Sequence, residues 1–241
     1  MIDHAIILAG GFGTRIRELF PNVPKPMIPF HGKPFLHWQM ELLAAHGFRT
    51  FTLCVHYMAD HIINYFQDGA ELGLTIHYSI ESKPLGTGGA ARLAANHLEK
   101  PILLMNGDTF YALNYREFAN QHEAGRANDK RLVSMALAYV DNVNQYGQVE
   151  ITDTQQVLSF REKSVSTGQA GWVNGGAYII EPEVWSFVSP EQPVSIERDT
   201  FLALLAAHRP IKGYPSHTRF VDIGTPSGYA LAETILQGAS R

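Results

Sequence analysis

The 241-residue sequence predicts an α/β fold, a mostly parallel sheet with helices packed on both faces. Three observations carry this. Short apolar runs alternate with helix-period segments through residues 1–140, the pattern of right-handed βαβ units. Past residue 140 the rhythm shifts to shorter amphipathic strands, the pattern of an antiparallel insertion. The chemically unusual segments "AGGFGTR", "SIESKPLGTGG", "NGDT" and "VDIGTP" all follow strand-like runs, where open parallel sheets bind ligands.

Taken in order, "HAIILAG" reads as a buried strand, too short for a membrane span and too apolar for a loop. "PFLHWQMELLAAHG" has helical periodicity, with proline at its start and Gly47 at its end. "RTFTLCV" is a strand, "MADHIINYFQDG" a helix, "LTIHYSI" a strand and "GTGGAARLAANHL" a helix. "PILLMNGD" is a strand, "LNYREFANQHEAG" a helix and "RLVSMALAYV" a strand. "YGQVEIT", "QVLSFREK" and "GWVNGGAYII" follow as antiparallel strands, then helices at "SIERDTFLALLAAH" and "TPSGYALAETILQG". No linker, repeat or low-complexity tract divides the chain. The expectation is one Rossmann-like domain over 1–241, with a ligand-facing insertion in its second half.

Composition bounds the function. The chain is 45% hydrophobic and 17% charged with a formal net charge of −4, which gives no basic face for nucleic acid. No apolar run approaches the roughly 18 residues of a membrane span, and the first residues lack a secretion signal. The single cysteine, Cys54, excludes an internal disulfide and fits a reducing cytoplasm; its strand context makes it a small buried hydrophobe.

In "LAGGFGTRIRELFPNVPKPM" three glycines follow the first strand, then come Arg15 and a proline-bracketed Lys25. Bare backbone N–H groups at such a loop attract anions. A Walker A loop needs Lys then Ser or Thr after its last glycine, and here Gly13 is followed by Thr14 and Arg15. The dinucleotide fingerprint fails at Ile16 and lacks an acid after the second strand. A ligand-free glycine turn is the alternative. Pro24 and Pro26 stiffen the backbone around Lys25, and a forked cation beside a point cation suits a triphosphate.

These residues resemble the signature of the sugar-1-phosphate nucleotidyltransferases, and the likeness continues through "PLGTGGA", "NGD", "YGQV", "FREK", "NGGAY" and "VDIGTP" in the family's order. The resemblance implies that Leu8, Ala9, Gly10, Gly11, Gly13 and Thr14 wrap a nucleoside triphosphate. It implies that Arg15 and Lys25 stabilise charge during transfer and that Asn106 contacts the nucleotide. It also brings a homodimer as a candidate assembly.

Asp108 ends "PILLMNGD" and Asp222 ends "TRFVD". Each alone is a candidate helix cap; together at one sheet end they suit a hard cation, and the resemblance assigns them Mg²⁺. A D-x-D glycosyltransferase motif is absent, since Asp108 is followed by Thr109 and Phe110, and the histidines show no H-E-x-x-H.

For the base, Glu81 stands five residues before Gly86, and Gly86 and Thr87 open a helix whose N–H groups are candidates to meet a base or phosphate. Thymidylyl and uridylyl relatives commonly carry glutamine at the matching position. A carboxylate only accepts hydrogen bonds, and guanine presents two adjacent donors, so Glu81 points to GTP. A solvated loop acid is the alternative.

For the sugar 1-phosphate, the resemblance implies Lys163 on its phosphate, Glu162 on ring hydroxyls, and Asn174, Gly175, Tyr146 and Gly147 around the ring. Without it, "REK" reads equally as an exposed strand end, Asn174-Gly175 as a hairpin turn and Tyr146 as core. "VPKPM", "PLGTGGA" and the compact chain, which stops where longer mannose-1-phosphate guanylyltransferases add a C-terminal β domain, look most like the members acting on D-glycero-D-manno-heptose 1-phosphate. Mannose is the next expectation; a UTP- or CTP-using enzyme and a non-catalytic sugar-nucleotide sensor are the others.

Overall fold

The computed structural model describes residues 1–11, 13, 15–143, 146, 148–161, 168–190 and 192–237. Its elements in chain order are β1 (His4–Leu8), β2 (Pro29–Phe30), β3 (Lys33–Pro34), α1 (Phe35–Ala45), β4 (Thr50–Val55), α2 (Ala59–Phe66) and β5 (Thr75–Ile80). Then come α3 (Gly86–Ala95), β6 (Ile102–Asn106), β7 (Thr109–Tyr111), α4 (Tyr115–Asp129) and β8 (Val133–Val140). β9 (Gln148–Ile151), β10 (Val157–Arg161), β11 (Gly171–Ile180), α5 (Leu202–Ala206), β12 (Ile211–Ser216), β13 (Phe220–Asp222) and α6 (Pro226–Gln237) complete the chain.

β6, β1, β4 and β5 lie side by side and parallel, with β5 at the edge. β11 runs antiparallel between β6 and β8, and β12 lies parallel to β8. β9 and β10 extend the sheet beyond the outer half of β11. The predicted parallel core and antiparallel insertion are thus both present, with the insertion's long strand β11 stitched into the sheet.

Alternation along each strand divides the core between the faces. Ala5, Ile7, Phe51, Leu53, Leu103 and Met105 meet α1, α2 and α4 on one side. Ile6, Cys54, Leu104, Met135, Leu137 and Tyr178 meet α3 and the 196–204 region on the other. α3 presents Ala90, Ala91, Ala94 and Ala95 to the sheet, and these small side chains let it lie close. A third cluster, including Phe30, Phe35, Trp38, Val221, Ile223 and Leu236, joins β2 and β13 to α6.

Three local differences from the sequence reading have physical causes. α4 runs through Gly125 to Asp129, and the Arg131 guanidinium fills the space where a side chain at Gly125 would stand. The predicted helix at "SIERDTF" starts as a π-turn over Ile196–Phe201, capped by Ser195 Oγ accepting from Arg198 N–H. Asn174-Gly175 is no hairpin turn: β11 continues through it, with a register shift and Gly176 at φ +68°.

Candidate active site

A cavity of about 300 Å³ opens at the carboxyl ends of β1, β4 and β6 beside the start of α3. Leu8, Gly10 and Gly11 form one wall. A Cβ on Gly10 would stand 3.1 Å from His56 N and 3.2 Å from Glu81 Oε1, so the backbone passes where only glycine fits comfortably. Gly107 lies under the end of β1: its N–H donates to Leu8 O at 3.1 Å, and a Cβ there would sit 2.5 Å from that oxygen. This packing carries Asp108 to the cavity. From α1, the buried Gln39 donates to Asn106 O and Thr109 O at 2.9 and 2.6 Å, clamping the same turn. Asn106 lines the cavity, and its Oδ1 is buried with no hydrogen-bond partner among the described residues.

The charged end is built around Lys25, whose side chain is only 10% exposed. Its Nζ lies 2.6 Å from Asp108 Oδ2 and 3.6 Å from Asp222 Oδ1. Asp222 comes from outside the central sheet. It ends β13, which pairs with β7 so that Asp222 faces Thr109, and Ile223 N–H donates to Asp108 O at 2.9 Å. Asp222 Oδ1 also accepts from Gly224 N–H at 2.6 Å. A Cβ on Gly224 would stand 2.6 Å from Lys25 Nζ and 3.6 Å from Arg15 Nη2, so the guanidinium of the otherwise exposed Arg15 borders the same point. Burial raises the Asp222 pKa above the ordinary carboxylate value, and the Asp108 charge raises it further; Lys25, Gly224 N–H and Arg15 oppose this. Two oxygen donors reached by one ammonium and repelling each other fit a hard divalent cation, which takes one or two carboxylates with phosphate and water.

At the other end Glu81 is buried, 8% exposed. Its Oε2 accepts from Leu85 N–H at 3.0 Å, and its backbone oxygen lies 2.8 Å from His56 Nδ1. Desolvation raises the Glu81 pKa, with the Leu85 hydrogen bond and His56 opposing. Gly86 and Thr87 both line the cavity. The free helix N-terminus expected there is partly occupied, because Val194 O accepts from Gly88 N–H at 2.8 Å and Gly89 N–H at 3.4 Å. Gly86 has φ +73°, and a Cβ on it would stand 2.5 Å from Val194 O.

Thr87 leads to a hydrogen-bonded chain that sequence reading missed. Its hydroxyl donates to Glu197 Oε2 at 3.3 Å, Tyr178 OH donates to Glu197 Oε1 at 3.2 Å, and Asn174 Nδ2 donates to Tyr178 OH at 2.7 Å. The start of α3 and the middle of β11 are thereby joined. Of the remaining sequence-predicted residues, Tyr146 packs its ring 5.3 Å from Phe220, and burial with the Asp222 charge raises its phenol pKa. Gly13, at φ +57°, lies against the stem of Lys25. Ala9 is buried in the core on the far face, with its N–H on Cys54 O. Gly175 closes against Tyr111 and Ala136 rather than the cavity. Cys54, expected as buried filler, is buried and also borders the cavity, where desolvation holds its thiol protonated. Thr14, Gly147, Glu162 and Lys163 lie outside the described residues.

Residues 4–237 match the nucleotidyl transferase family model. The chain belongs to the nucleotidyl transferase family. Among curated members, a D-glycero-alpha-D-manno-heptose 1-phosphate guanylyltransferase of Aneurinibacillus thermoaerophilus is 35% identical, over 97% of this chain and 98% of that protein. A mannose-1-phosphate guanylyltransferase of Mycobacterium tuberculosis is 34% identical, over 93% of this chain and 62% of that protein. The crystal structure of HddC from Yersinia pseudotuberculosis complexed with GMP-PN superposes with a TM-score of 0.83 at 31% identity, covering 98% of this chain and all of that one. This nucleotidyl transferase therefore shares the Rossmann-like fold of sugar-phosphate nucleotidyltransferases across nearly its whole length.

Proposed function

We propose that the chain is a guanylyltransferase that joins GTP and D-glycero-α-D-manno-heptose 1-phosphate to give GDP-heptose and pyrophosphate. One observation carries the reading: a single cavity has a cation between two carboxylates at one end and a buried, anchored carboxylate at the other. The first end suits reacting phosphates. The second suits guanine, whose N1–H and exocyclic amine both donate; accepting from Leu85 leaves Glu81 lone pairs for both. The heptose preference is supported by the relative that matches this chain end to end. The Mycobacterium tuberculosis relative favours mannose 1-phosphate as the second reading.

A phosphate oxygen of the sugar 1-phosphate attacks the α-phosphorus in line, the bond to the β-phosphate's bridging oxygen breaks, and pyrophosphate leaves. The attacking oxygen is already anionic, so no general base is needed, and catalysis rests on positioning and charge stabilisation. Lys25 holds the α-phosphate as charge develops, and Arg15 neutralises the departing pyrophosphate. Asp108 and Asp222 would hold Mg²⁺, which when bound supplies charge neutralisation for the reacting phosphates. Asn174, with Glu162 and Lys163, orients the sugar phosphate. Pyrophosphate release across GTP, UTP, dTTP and CTP against heptose, mannose and glucose 1-phosphates tests the reading. Turnover should require GTP and favour the heptose; equal rates with UTP or dTTP would overturn it.

A further inference from the structure

A second cavity, of about 530 Å³, starts at the amino ends of β1 and β4, away from Lys25 and Asp108, and runs along β5 to Ile80. It opens between the edge of the sheet and the last turns of α3. Three histidines from three separate segments line it: His4 on β1, His77 on β5 and His97 just after α3. The register explains two of them. His4 pairs with Thr50, and Thr52 with His77, and parallel partners present their side chains to one face. His4 Nε2 and Thr52 Oγ1 are 2.8 Å apart, and Thr50 and Ser79 add two further hydroxyls to the lining. Leu93 and Leu98 supply an apolar side. Among the described residues no aspartate or glutamate lines this cavity.

That wall has donors and potential positive charge but no carboxylate. Among the described residues no cluster of three or more His, Cys, Asp and Glu side chains is placed to hold a metal ion, so these imidazoles and hydroxyls, with no carboxylate among them, fit an anion. We propose that this cavity is a proton-gated site for a small organic anion, its charged head on His4, His77 and His97 and its apolar body against Leu93 and Leu98. The site is independent of the guanylyltransferase reading.

The gating follows from the burial and surroundings of His4. Burial lowers the pKa of His4, and His77 and His97 lower it further; Asp3, beside His4 on the chain, pulls the other way. β4 contributes only Thr50 and Thr52 here and α3 only Leu93 and Ala94, while β5 adds the Tyr78 phenol, whose pKa burial pushes up to about 12. Protonating His4 beside the other two rings is therefore unfavourable until an anion is present. Binding takes up protons, so affinity rises as pH falls.

Benzenesulfonate, whose charge is constant across the range, serves as the probe, with benzyl alcohol as its neutral counterpart. The histidine ring resonances of the full chain are followed by NMR at about pH 5.5 and about pH 8, the window in which imidazoles titrate. The expected result is a saturable shift of His4, His77 and His97 with benzenesulfonate and not with benzyl alcohol. Affinity should fall roughly tenfold or more at the higher pH, and be lost in a His77→Gln/His97→Gln double variant. Both residues are exposed, and the rest of the variant's spectrum reports whether its fold is kept. Shifts confined to His56, which lines the nucleotide cavity, would overturn the proposal. So would affinity independent of pH, or binding unchanged in the double variant.

Discussion

Glu81→Gln separates a base-reading carboxylate from a structural one. In the wild type one oxygen is committed to Leu85 N–H and the group is nearly buried. The amide that replaces it has two orientations. With its oxygen on Leu85, its NH₂ faces the donors of guanine and loses a bidentate contact, about 1–3 kcal/mol. With its oxygen toward the base, its NH₂ faces Leu85 N–H and leaves buried donors unpaired, again costing about 1–3 kcal/mol. Either way kcat/KM for GTP should fall roughly 5- to 150-fold, at about 1.36 kcal/mol per decade. UTP and dTTP should lose less, because a base with adjacent donor and acceptor suits an amide. The pH profile adds an independent sign. Burial raises the Glu81 pKa, so acidification protonates it earlier than an ordinary glutamate, removes an acceptor and raises KM for GTP. That limb should vanish in the variant. Steady-state pyrophosphate release with each nucleotide across pH measures both effects; an unchanged GTP constant with an unchanged acid limb would refute the assignment.

Asp222→Asn should abolish turnover while raising the melting temperature of the free protein near neutral pH. The raised Asp222 pKa means the folded state binds this proton more tightly than the unfolded chain, so stability falls as pH climbs from the ordinary carboxylate value through the raised one. The asparagine keeps an acceptor for Gly224 N–H and removes that slope, which thermal melts across pH will show. Lys25→Ala should lower kcat about 10²–10³-fold, the usual loss of one preorganised charge stabiliser. It should also destabilise the fold by leaving Asp108 and Asp222 facing each other, and a melt that rises instead would contradict the ion-pair geometry. Gly86→Ala meets both a left-handed φ and the Val194 carbonyl. A cost of about 1–3 kcal/mol should appear as a melting point lowered by several degrees, together with a raised KM for GTP.

Strand and helix identities were legible because alternation and periodicity are strong here: Ala5 and Ile7 against Ile6, or the apolar face of α2 with Ile62 and Phe66, are set by local pattern. The residues following β1 and β6 were legible too, since Gly10, Gly11 and Asp108 sit where parallel sheets expose backbone. What could not be read was long-range. That Asp222 reaches Asp108 depends on β13 pairing with β7, a ribbon of three residues with no periodic signal. Val194 capping α3, and Glu197 bridging Thr87 to Tyr178, both reach α3 across more than 100 residues, the second from within a π-turn. Gln39 did leave a trace, a polar residue inside the apolar run "HWQMELL", which signals a buried amide holding backbone. Gly175 shows the reverse: it looked like a ligand contact beside Asn174, and its lack of a side chain instead makes room for Tyr111.

The proposed Lys25–Asp108–Asp222 cluster transfers the guanylyl group of GTP, through its α-phosphorus, to a sugar phosphate, and ³¹P NMR follows every phosphorus in that reaction at once. With GTP, D-glycero-α-D-manno-heptose 1-phosphate and Mg²⁺, the wild type should convert the triphosphate signals into those of a sugar-linked diphosphate and pyrophosphate in equal amounts. Asp108→Asn should leave the starting spectrum unchanged. Release of GDP and inorganic phosphate in place of those products, or full conversion by Asp108→Asn, would contradict it.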